Sequence, residues 1–253
     1  MSKVNVYGID GSSSEKIDLP EIFKTQYRPD IIRKAFNVLH SNKRQPYGSD
    51  PFAGTKHATR SIGKGRGMSR VPRLTQGQRA ALAPCNVGGR RAHPPKAERN
   101  WKEKINKKEK ILAKNSAIAA TADKEIVKKR GHKFDEKLTL PIIVDDKFES
   151  IKKTKDVIGA LEKIGLYDDI LRSTNGVHIR AGRGKMRGRK YRTPKSILIV
   201  STKDDVRKGS CNLSGVDIVK PKQLNIEYLA PGGDAGRLTI FTKSALKEIG
   251  GAK

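Results

Sequence analysis

Beyond Leu138 the apolar residues gather in short runs, Leu140 to Val144 and Ile197 to Val200 without a break, Val216 to Val219 around Asp217 and Leu238 to Phe241 around Thr239, with mixed sequence between them. A strand with one wet face alternates apolar and polar positions, so an unbroken run predicts a strand covered on both faces, as in a parallel sheet. Helical spacing fills the intervals. Thr154 as a cap, Val157, Ile158, Leu161 and Ile164 as a buried stripe and Gly165 as a stop predict one helix. Thr242 to Ile249 followed by Gly250 repeats that grammar. Strands alternating with helices predict an α/β fold, a mainly parallel sheet with flanking helices and right-handed crossovers.

The amino-terminal part reads differently. Val4, Val6 and Ile9 predict a short strand, Asp10-Gly11 its turn, and Ile17 and Leu19 the return, so the chain opens on a hairpin. Pro29 suits a first helical position, and Ile32, Ala35, Phe36 and Leu39 follow it at helical spacing. Trp101, Ile105, Leu112, Ala119 and Ile126 recur at intervals of four and seven, which predicts one long helix ending at Lys128-Lys129-Arg130-Gly131.

Between 41 and 97 neither rhythm holds. This segment has eight glycines, six prolines and one acid, Asp50, beside twelve basic residues: Lys43, Arg44, Lys56, Arg60, Lys64, Arg66, Arg70, Arg73, Arg79, Arg90, Arg91 and Lys96. With so few apolar positions it cannot offset its own ordering entropy, and alone it is expected to be disordered. A second stretch, 172–195, adds Arg172, Arg180, Arg183, Lys185, Arg187, Arg189, Lys190, Arg192 and Lys195 with no acid. The predicted organisation is a globular α/β domain of residues 1–40 and 98–253, a long basic extended loop at 41–97, and a second basic insertion at 172–195.

Composition sharpens this picture. The chain has 253 residues with 54 Lys plus Arg against 26 Asp plus Glu, a formal net charge of +28. The two basic segments hold +11 and +9 of it, so the charge is concentrated rather than spread over a solvated surface. Such segments draw polyanions by releasing counterions from phosphates. Arginine alternating with glycine over 180–192 lets the backbone enter a groove while guanidinium forks bridge phosphates. Tyr47, Phe52 and Tyr191 are the aromatics of the two segments, too few for stacking along a single strand, so folded RNA is the expected ligand.

Other chemistry finds little footing. Cys85 and Cys211 lie far apart without a CxxC, so neither a disulfide framework nor a zinc ribbon is indicated, and a reducing cytosol fits. No secretory leader opens the chain, and no apolar run reaches the roughly 18 residues of a membrane span. A nucleic-acid enzyme on a Rossmann-like sheet needs a glycine loop after a strand, and none follows the four apolar runs. Gly63, Gly65 and Gly67 imitate a phosphate loop, but Met68 occupies the last glycine position and no strand is expected before them. His40, His57, His93, His132 and His178 are read as polar surface residues. The adjacent acids Asp145-Asp146 and Asp204-Asp205 are read as helix starts rather than a catalytic pair. No catalytic residue, metal or cofactor is expected, and an RNA-modifying enzyme or a DNA-packaging protein are the weaker alternatives.

Six stretches, in order, resemble one family. SAIAATAD at 116–123, RGH at 130–132, LPIIVDDKFESIKKTKD at 140–156, IRAGRGKMRGRKYR at 179–192, NLSG at 212–215 and LAPGGDAGRLTIFTKSA at 229–245 are similar to the universal large-subunit ribosomal protein L-four family in its archaeal and eukaryotic form. The resemblance implies a cytoplasmic structural constituent of the large ribosomal subunit that binds 23S-type rRNA early in assembly. It implies no membrane partner and no small-molecule substrate. It implies further that Gly63, Lys64, Gly65, Arg66, Gly67, Met68, Ser69, Arg70, Val71, Pro72 and Arg73 form the tip of a loop lining the peptide exit tunnel. There the tip would face the L-twenty-two protein family. The chain ends at Lys253 without a long eukaryotic tail and carries Asp234-Ala235 where His-Val is frequent. Tail contacts and an RNA contact at position 234 are therefore not carried over.

Overall fold

The computed structural model describes residues 3–251. Met1–His40 with Lys104–Lys253 form one compact unit, and Ser41–Glu103 form another. Among the described residues the strands are β1 (Lys3–Tyr7), β2 (Ser13–Asp18), β3 (Thr59–Ser61), β4 (Pro72–Leu74), β5 (Ile142–Val144), β6 (His178–Ile179), β7 (Tyr191–Arg192), β8 (Leu198–Val200), β9 (Asp217–Val219) and β10 (Thr239–Thr242). The helices are α1 (Pro29–Asn42), α2 (Lys107–Ala119), α3 (Lys124–Lys129), α4 (Thr154–Ile164), α5 (Tyr167–Asn175), α6 (Asp205–Ser210), α7 (Ile226–Leu229) and α8 (Lys243–Gly251).

The first unit is built on a six-stranded sheet of order β2-β1-β5-β10-β8-β9. The β1–β2 pairing is antiparallel and the other four pairings are parallel. This is the α/β architecture expected from the apolar runs, and the burial pattern gives the reason. Successive side chains of a strand point to opposite faces. Ile143, Leu198, Val200 and Phe241 therefore enter one core with α1, α2, α7 and α8, while Ile142, Val144, Ile199 and Ile240 enter a second with α4, α5 and Val206 of α6. Both faces are dry, so no position in the central strands had to be polar.

Several boundaries differ from expectation. The first strand stops at Tyr7, short of Ile9. Thr154 is the first residue of α4 and follows Lys153 at the cap. In α4 Ala160 joins Val157, Leu161 and Ile164 in the buried stripe, while Ile158 is half-buried. Gly165 does end this helix, at φ 83°, a left-handed conformation that glycine adopts without strain. Gly250 does not end α8, which continues to Gly251. The long helix expected from Trp101 to Arg130 is broken. Asp123 takes an extended conformation and its carboxylate accepts the Glu125 N–H, capping α3 as a separate helix. Trp101 lies in the other unit, and Leu112 is 40% exposed instead of buried.

Buried polar groups tie the core together. His132, read from sequence as a surface residue, is buried with Asp169. Its Nδ1 lies 3.0 Å from Asp169 Oδ2, and the carboxylate also accepts from Lys133 N (3.0 Å), Arg172 Nε (2.8 Å) and Ser196 Oγ (2.7 Å). Burial pushes the His132 pKa down more than its hydrogen bond to Asp169 raises it, so the ring is neutral and donates from Nδ1. Burial pushes Asp169 upward, but its hydrogen bonds to His132 and Arg172 together outweigh that and leave it below the usual carboxylate range. Nearby, the fully buried Arg237 donates to the carbonyls of Ser196 (2.7 Å), Ile197 (3.3 Å), Gly215 (3.0 Å) and Tyr228 (3.0 Å) and ion-pairs with Asp217 at 2.7 Å.

Removing one partner of a buried ionic group leaves the rest desolvated and unpaired. Arg237→Met is expected to cost ~3–5 kcal/mol in guanidinium denaturation. A loss below about 1 kcal/mol would show that water or rearrangement replaces the guanidinium.

Candidate nucleic-acid interface

In the Ser41–Glu103 unit only Ala81 is buried among the described residues. Lys43, Arg44, Lys56, Arg60, Lys64, Arg66, Arg70, Arg79, Arg90, Arg91 and Lys96 are exposed there, and Arg73 is half-buried. β3 and β4 form an antiparallel hairpin in which Thr59 faces Leu74, Arg60 faces Arg73 and Ser61 faces Pro72. A strand therefore does precede Gly63, contrary to expectation. The loop after it returns into an antiparallel partner and not into a helix, so the geometry of a phosphate loop is still missing. Gly63, Gly65 and Gly67 take φ of 82°, 79° and 63° with open space where a Cβ would stand, so the reversal rests on backbone conformation and not on crowding.

Two like charges directly opposite on a hairpin destabilise it by about 0.2–1 kcal/mol. Arg73 bears part of this internally, donating from Nη1 to Gln78 O (2.6 Å) and from Nη2 to Ser69 O (3.3 Å). It is thus a brace of the loop more than a free cation. Its Nε is buried without a partner. Lys56 pairs with Asp50 at 2.6 Å, and that contact holds the Asp50 carboxyl below its ordinary pKa. Arg44 and Arg99 cover the ring of Trp101 at 3.7 Å and 4.2 Å from its centroid, a cation–π pair of contacts. Trp101, expected from its spacing to lie on a helix, is outside α2, and Arg99 extends the basic segment beyond residue 97.

The second basic stretch also differs in extent. Its centre is the small hairpin of β6 and β7, where Arg183, Lys185, Arg187, Arg189, Lys190 and Arg192 are exposed and Arg180 is half-buried. Arg180 anchors the hairpin through its N–H to Lys190 O (2.8 Å) and its Nε to Arg189 O (3.3 Å). Arg172 and Lys195, at the ends of the stretch, belong to the body: Arg172 is bound to Asp169 and Lys195 pairs with Asp217 at 2.8 Å. A cavity of about 840 Å³ beside β7 is lined by Arg33, Lys129, Arg130, Arg192 and Lys195. Arg33, Lys129 and Arg130 come from α1 and the end of α3, so no local pattern could gather them. Asp234 on the rim ion-pairs with Arg33 at 2.9 Å.

The profile of the ribosomal protein L4/L1 family matches residues 17–252. The chain belongs to this family. It is 52% identical over 248 residues to the large ribosomal subunit protein uL4 of Methanocaldococcus jannaschii, covering 98% of each chain. To the protein of the same name from Thermoplasma acidophilum it is 50% identical over 248 residues, covering 98% of this chain and 97% of that one. To that from Methanosphaera stadtmanae it is 47% identical over 251 residues, covering 99% and 97%. The resemblance read from the six stretches is thereby established along the chain.

Within this L4/L1 chain, burial separates the two units sharply. Limited trypsin digestion of the free protein should cut first between Lys43 and Lys96 and in the 180–192 hairpin. Cutting as early at Arg237 or Lys243, which flank β10, would show that the body opens as readily as the basic segments.

Proposed function

We propose that this chain is a cytoplasmic structural constituent of the large ribosomal subunit, that it binds 23S-type rRNA early in subunit assembly, and that it is not an enzyme. The observation that carries this reading is the crowding of exposed cations on two glycine-rich hairpins, Arg60, Lys64, Arg66 and Arg70 on one and Arg183, Lys185, Arg187, Arg189, Lys190 and Arg192 on the other. Such a surface gains most from phosphates placed between its like charges. The family relatives, named as large-subunit proteins, support the same partner. The contact residues are Lys43, Arg44, Lys56, Arg60, Lys64, Arg66, Arg70, Arg73, Arg79, Arg90, Arg91 and Lys96 in one segment. In the other they are Arg180, Arg183, Lys185, Arg187, Arg189, Lys190 and Arg192. The tip Gly63 to Arg73 lines the exit tunnel and faces the L-twenty-two family there.

The carboxyl ends of the parallel strands, where α/β enzymes hold nucleotides, are occupied by the protein's own groups. Buried Glu149 accepts from Thr202 N (2.8 Å), Thr202 Oγ1 (2.7 Å), Lys203 N (3.3 Å) and Thr242 Oγ1 (2.6 Å). Asp145 and Asp204 pair with Lys243 and Lys220, and Asp146 accepts the Ser244 N–H at the start of α8. These acids are engaged in holding the fold, which favours the scaffold reading over catalysis.

About ten phosphate contacts make log affinity for an rRNA fragment fall with log salt at a slope of roughly −7 to −9. Filter binding across a salt series measures it, and a slope shallower than about −2 contradicts a backbone reader. For the tunnel assignment, a photoreactive residue at position 66 should crosslink to a stalled nascent chain. Crosslinks confined to surface rRNA would withdraw the tip from the tunnel.

A further inference from the structure

Helix α2 carries apolar side chains on two sides. Ala113, Ala117 and Ile118 are buried in the core, whereas Ile111 is 60% exposed. The core accounts for the first set and leaves Ile111 unexplained. It stands at a groove of about 520 Å³ whose apolar lining is continued by half-buried Leu39 of α1 and backed by Leu224 and Ile226 at the edge of the core. Lys107, Lys110 and Lys114 of α2 and Lys222 surround it, and no acid lines it. Among the described residues none of these four lysines has an ion pair, and the nearest acid along α2, Glu109, is held by Lys34 at 3.1 Å. Burial, and after it the like charge of Lys110 one turn away, lowers the pKa of Lys114.

The groove differs in kind from the two basic hairpins. Those present guanidinium forks on glycine-rich backbone, the geometry that grips phosphates, whereas no arginine lines the groove and its floor is aliphatic. RNA would leave that floor uncovered. An amphipathic helix with apolar anchors at i, i+3 or i+4 and i+7 fills such a floor, and acidic flanks satisfy the lysines. We propose that the groove between α1, α2 and the start of α7 docks an acidic, apolar-faced helical segment of a protein partner.

The test is fluorescence anisotropy on the full chain in about 0.15 M salt with a labelled synthetic helix bearing leucines at that spacing and glutamates on both flanks. Saturable one-to-one binding is expected. Ile111→Ser should weaken it about fivefold or more by removing an anchor, and Lys110→Glu with Lys114→Glu about tenfold or more. Ile111 and Lys110 are exposed and Lys114 is half-buried, and unchanged circular dichroism would confirm the fold of each variant. Lys185→Glu with Arg187→Glu, in the second basic segment, should change the affinity less than about twofold. Absence of saturable binding overturns the proposal. So does equal weakening by the 185/187 pair, which would mean general attraction of acid to a basic protein. If the groove variants weaken binding of an RNA duplex while leaving the peptide untouched, the face belongs to RNA and the proposal fails.

Discussion

Residues 194–196 are fixed by a set of polar contacts, two of them fully buried, that must all be made together. Ser173 donates to Pro194 O at 2.7 Å, Arg172 to Lys195 O at 2.8 Å, Ser196 Oγ to Asp169 at 2.7 Å, and Arg237 to Ser196 O at 2.7 Å. A carboxylate and a guanidinium that are both fully buried are tolerable only while every partner stays in place. Those three residues are at once the foot of the β6–β7 hairpin and the lead into β8. The foot of the cationic hairpin is therefore held by the same contacts that bind α5 to the lead into β8 and to Arg237 just ahead of β10.

The net charge of +28 imposes the second constraint. Exposed ion pairs such as Arg28–Asp30 and Lys128–Glu136 contribute little stability and cannot neutralise this excess. The chain instead segregates it. The body keeps Arg172, Lys195 and Arg237 by giving each a carboxylate, Asp169 or Asp217, while most other arginines stand in the two basic segments, many of them on hairpins with scarcely any buried surface of their own. Like charges at that density repel one another, which is the physical ground for the anionic partner proposed above. The lysine-walled groove on α2 poses the same problem on a smaller scale, with an apolar floor in place of glycine-rich backbone.

Much of this was legible in the sequence. The apolar runs marked four of the sheet strands, with β5, β8 and β10 buried throughout and β9 half-buried at the edge, and the opening hairpin and α1 followed from turn and helix-start residues. The basic segments were visible as charge, and the family as six ordered stretches. The misreadings share a cause. His132 looks like any polar histidine until the fold brings Asp169 beside it, and the break at Asp123 depends on a cap that competes with a continuing periodicity. Arg172, Lys195 and Arg73 carry the same side chains as their exposed neighbours, yet local hydrogen bonds retain them.

The sequence by itself determined the class of the fold, the membership of the family and the concentration of positive charge in two segments, because periodicity and charge density are properties of the chain in order. Tertiary structure alone decided the rest. It inserted β10, last of the strands, between β5 and β8, gathered Arg33, Lys129 and Arg130 at one cavity with Arg192, and turned Ile111 outward beside Leu39 and Leu224. Each depends on which distant surfaces are buried against each other, a free energy shared among many residues that no local window of sequence contains.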